Sequence, residues 1–118
     1  MQQVLINGQW RDASSSSSFQ ADNPSTCEAL PDEYPVSDWD DCDAALSAAS
    51  SAAEILASFP SSRIAEFLEK YAENIEQHAD SIVSLAHLET ALPVSPRLAD
   101  IELPRTTGQL RKAAVALP

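Results

Sequence analysis

The stretch SDWDDCDAALSAASSAAEILASFP, residues 37–60, decides the fold. It opens on a residue suited to cap a helix, Ser37, and follows it with Asp38, Asp40 and Asp41. Those charges favour the positive end of a helix dipole. Trp39, Cys42, Leu46, Ala49, Ala53 and Leu56 then recur at three- and four-residue spacing, which predicts one apolar stripe along a long helix. Small alanines in that stripe suit close approach of another helix. Pro60 closes the segment.

Downstream, the helical pattern continues. A second helix is expected from about Ser62 to Ile75, with Ile64, Phe67, Leu68, Tyr71 and Ile75 on one face. Glu66, Glu69, Lys70 and Glu73 take the other face, and Glu66 and Lys70 stand in the favourable order for a helical ion pair. QHADSIVSLAHLETALP, residues 77–93, supplies a third helix whose stripe is Ala79, Ile82, Val83 and Ala86, stopped by Pro93 and Pro96. A fourth starts near Pro96, with Leu98, Ile101, Leu110, Ala114 and Leu117 in helical spacing. Pro104 removes a backbone donor and crowds the carbonyl of Asp100, so either two short helices or one kinked helix fits.

Upstream, the pattern changes. VLINGQW, residues 4–10, alternates strand formers around Asn7-Gly8, the dipeptide that tolerates the positive φ angles of a two-residue hairpin turn. Ser14–Ser18 form a serine run that buries little and is expected to be a mobile loop. Residues 19–37, with Pro24, Pro31 and Pro35, suggest one or two short extended pieces, among them Glu28–Leu30. The chain therefore divides into a hairpin and Ser/Pro-rich region over 1–36 and a helical segment over 37–118. It is mostly α-helical, with about four helices after an N-terminal β-hairpin.

Composition narrows the function. The 118 residues carry a formal charge of −11, with no Lys or Arg between Arg11 and Arg63. Such a surface repels nucleic acid and anionic membranes. Two cysteines, Cys27 and Cys42, make neither a disulfide framework nor a zinc site, and the start has no signal-peptide pattern. A cytoplasmic location is the expectation. Cys42 falls on the apolar stripe and reads as a core cysteine; Cys27 has no base at a recognisable spacing. His78 and His87 are too far apart for a paired helical metal motif. Glu69, Glu73 and Glu76 read as a solvated face, and glycine occurs only at Gly8 and Gly108, so no Gly-rich phosphate loop exists. No position is assigned a catalytic, cofactor-binding or metal role.

The order of features is nevertheless specific. INGQW (residues 6–10), NPSTC (23–27), DCDAALSAA (41–49) and LAHLETALP (85–93) resemble, in order and spacing, the N-terminal region of the aldehyde dehydrogenase superfamily. The ending LPRTTGQLRKAA (103–114) looks most like the branch of bacterial 2-oxoglutarate-semialdehyde (2,5-dioxovalerate) and fatty-aldehyde dehydrogenases. Cys27 stands where the family usually has glycine. The resemblance implies a mixed α/β fold for the complete enzyme and NAD or NADP as its cofactor. It also implies that the nucleophilic cysteine, glutamate base and nucleotide-binding layer follow Pro118. On this reading the chain is an inactive N-terminal fragment that binds no cofactor. Its partners are the rest of the enzyme chain or like subunits, and in isolation it self-associates. An acidic helical module that docks on another protein is the alternative.

Overall fold

A computed structural model describes residues 1–117. By their contacts they form two compact units, residues 1–22 with 28–58, and residues 23–27 with those from 59 onward.

In the first unit, Val4–Ile6 (β1) and Gln9–Arg11 (β2) pair antiparallel, with Val4 opposite Arg11 and Leu5 opposite Trp10. Asn7 and Gly8 have φ of 51° and 74°, the two positive angles that the Asn-Gly dipeptide predicts. A second strand pair, Ser18–Asn23 (β3) and Glu28–Pro35 (β4), is longer than the short pieces expected. Pro31 fits within β4 because a two-stranded sheet leaves it an edge where no donor is needed. The Phe19 and Tyr34 rings meet at 5.7 Å, and the Gln20 side chain donates to the Leu30 carbonyl. The backbone N–H of Gln2 donates to the Glu33 carbonyl at 2.7 Å, tying the start of the chain to β4.

Trp39–Ala57 (α1) follows, and it departs from expectation in two ways. Its cap is Asp38 rather than Ser37: the Asp38 carboxylate accepts from the amides of Asp40 and Asp41 at 3.1 and 3.4 Å. Its apolar stripe is also not buried. Trp39, Leu46 and Leu56 are exposed, as is Cys42, which is therefore no core cysteine. The helix turns Ala44 and Ala48 toward the hairpin instead, beside Ile6 and Asn7. Alanine lets the strand approach the helix closely, but it covers little area. Trp39 and Leu46 lie on the opposite side.

The second unit is helical. Ser61–Gln77 (α2) begins after Pro60, and Ala79–Thr90 (α3) ends on Ala91 in the left-handed region, at φ 57°. The segment Val94–Glu102, extended at Ser95 and then helical with a wide, π-type turn, runs directly into Leu103–Ala116 (α4). This settles the Pro104 question in favour of one kinked helix. The Leu103 amide donates to the Leu98 carbonyl, five residues back. The widened turn takes up the misfit at Pro104, whose absent N–H would otherwise leave a gap in the ladder of a continuous helix.

The main packing is α2 against α4. Their buried residues, Ala72, Thr107 and Ala114, are all small, so the two backbones approach closely. Val83 and Leu98 complete the buried set. Phe67 and Tyr71, expected on the buried face of α2, are instead exposed and stack on each other at 6.1 Å. Lys70 pairs with Glu73 at 3.0 Å rather than with Glu66.

The turn over residues 23–27 is built on Asn23. Its carbonyl accepts from the amides of Thr26 and Cys27, and its side-chain oxygen accepts from the Ser25 amide at 2.9 Å. Cys27 has φ 57°, a left-handed conformation that a Cβ disfavours by about 1–2 kcal/mol. We therefore expect Cys27→Gly to strengthen this turn by about 1 kcal/mol, with slower exchange of the residue-27 amide. Faster exchange in the variant would show that the strain is not there.

Candidate functional site

The reactive side chains do not converge. Cys27 lies on an exposed turn, and Cys42 is exposed on α1; both are free thiols. The His78 Nδ1–H donates to the Asn74 carbonyl at 2.8 Å, and the His87 Nδ1–H donates to the Leu92 carbonyl at 2.7 Å. Each ring therefore braces a helix end. Among the described residues no group of three His, Cys, Asp or Glu side chains could hold a metal ion. None of the described helices is long and apolar enough to cross a membrane.

Two polar clusters do form, and residue spacing gives little hint of either. Asp41 is only 2% exposed. Its carboxylate accepts from the Ser14 amide at 2.8 Å, the Ser14 hydroxyl at 2.9 Å and the Arg11 guanidinium at 2.8 Å. The Ser14 amide above all holds the carboxyl below its usual range. Further along the serine run, the Ser17 carbonyl accepts from the Val36 amide, and the Ser15 hydroxyl accepts from the Ser17 amide. Ser14 and Ser17 thus tie the run to Asp41 and Val36. Asp40, Asp41 and Asp43 look alike in sequence; helical phase alone turns Asp41 inward.

In the second unit Arg111 grips Glu76 with two bonds, Nη1 to Oε1 at 2.5 Å and Nη2 to Oε2 at 2.8 Å. Its Nε lies 3.4 Å from Glu69. Glu69 and Glu76 thus clasp α4 to α2 rather than forming a purely solvated face, and the basic residue near the end of the chain has a structural employment. Hydrogen bonds from Arg111 and then Thr107 lower the Glu76 carboxyl to about 2, from an ordinary 4.5. Because the folded value lies below the unfolded one, this clasp stabilises fully above pH 4.5 and fades as pH falls toward 2. Glu76→Gln should flatten the acid-side loss of α2 and α4 amide protection across that window. An unchanged pH profile would assign the loss to other carboxylates.

For the cofactor that the sequence resemblance implies, the described residues offer no glycine cradle. A dinucleotide pyrophosphate is held by a glycine turn at a helix N-terminus, where no side chain blocks the backbone amides. Here Gly8 sits in the hairpin turn and Gly108 lies inside α4. The residue preceding α1 is the anionic Asp38, which already occupies the helix amides and would repel a phosphate. The residues present do not fit the group.

What the structure does display is apolar surface. On the first unit Trp39 is 74% exposed and Leu46 62%, in line along α1. On the second, Phe67 is 63% exposed, and Tyr71, Ile82, Leu85 and Leu88 are also exposed. Single exposed apolar residues are ordinary, but rows of them along helices mark surfaces meant for contact.

Residues 10–117 match the aldehyde dehydrogenase family. A crystal structure of an NAD-dependent benzaldehyde dehydrogenase from Corynebacterium glutamicum superposes with a TM-score of 0.85 at 26% identity. That likeness covers 96% of this chain and 24% of that one. Succinate-semialdehyde dehydrogenase [NADP(+)] 2 of Schizosaccharomyces pombe is 29% identical over 109 residues, 92% of this chain and 22% of that enzyme. D-glyceraldehyde dehydrogenase (NADP(+)) of Picrophilus torridus is 34% identical over 82 residues, 70% of this chain and 16% of that enzyme. The chain belongs to the aldehyde dehydrogenase family. It corresponds to the N-terminal region and spans about a fifth of the length of the relatives it matches.

Proposed function

We propose that this chain is scaffold for an NAD(P)-dependent aldehyde dehydrogenase that oxidises an aldehyde to a carboxylate, and that by itself it neither binds the dinucleotide nor turns over substrate. The observation that carries this reading is the pairing of a family fold with apolar helix faces left open. The exposure of Trp39, Leu46 and Phe67 supports this reading. The cysteine thiolate, the activated water and the nicotinamide site that the family chemistry requires have no counterpart among Cys27, Cys42 and the helix termini described above. The ETALP and RTTGQLR stretches support 2,5-dioxovalerate or a fatty aldehyde as the substrate of the complete enzyme. We place that enzyme in the cytoplasm.

Calorimetric titration of the purified chain with NAD and with NADP should give no binding heat. Exposed faces should make the chain bind the dye ANS and self-associate on size exclusion. Substituting this chain for the matching segment of the Corynebacterium enzyme should preserve NAD-dependent oxidation of benzaldehyde by the hybrid. Aldehyde oxidation by the 118-residue chain alone would overturn the proposal.

A further inference from the structure

We draw no further inference here: the strongest candidate, the apolar cavity of about 350 Å³ in the helical unit walled by Tyr71, Ile75, Val83 and Leu98, carries nothing because its rim carboxylate Glu102 is already paired with Arg97 and Arg105 and nothing in the structure shows what covers its open side.

Discussion

Leu98→Ala should loosen the helical unit by about 3 kcal/mol, near the middle of the range for a buried leucine cut to alanine. Leu98 is 8% exposed and is the largest buried residue of the wide segment before α4. It lines the same cavity as Ile75 and Val83, so truncation enlarges a void that already exists rather than one that neighbours can close. Hydrogen exchange read residue by residue is the suitable measurement, because a chain with open apolar faces need not melt cooperatively. Protection of the α3 amides and of those around Leu98 should fall by about a hundredfold or more. Leu98→Met, which keeps the volume, should fall far less. Equal losses in the two variants would mean that position 98 contributes through backbone geometry rather than through packing.

Ala72→Phe should be nearly as damaging, for the opposite reason. Ala72 has no exposed surface at all and lies in the α2–α4 seam, where its buried counterparts, Thr107 and Ala114, are also small. Short side chains allow the helices to close, and a benzyl group there would force them apart at a cost of about 3 kcal/mol, the upper part of the usual range for overpacking. Separation would also stretch the Arg111 grip on Glu76, so the two losses would not be independent. Exchange should quicken along both α2 and α4 while the first unit is unaffected. A variant with native protection in α4 would show that the seam has room that its burial does not suggest.

The helices and the first hairpin were legible in the sequence because each depends on local chemistry. Asn7-Gly8 names its own turn, and the prolines and apolar spacing bracket the helices to within a few residues. The family likeness was legible for the same reason, since five short motifs survive as strings in order. Faces were read less well. Periodicity shows which side of α1 is apolar, but not whether anything covers it, and the hairpin took the alanine side. Sequence spacing likewise placed Phe67 and Tyr71 inside, whereas the buried residue of α2 is Ala72. Small residues carry a weak hydropathy signal even where two helices come closest. Asp41 was seen only as one helix-start charge among several, because its partners Arg11 and Ser14 are about thirty residues away and only folding brings them together.

The wide turn before α4 also governs phase. At about 3.6 residues per turn, nine positions along a regular helix would set Leu98 and Thr107 on opposite sides. Both are buried, Leu98 in the segment that packs on α3 and Thr107 on the helix that packs on α2, and the looser winding between them helps set the turn that separates the two faces. Deleting one residue between 99 and 102 would restore uniform winding, but it would strand Pro104 within a continuous ladder. The irregularity and the proline therefore belong together, and a shortened version would tolerate the deletion only with another residue at position 104.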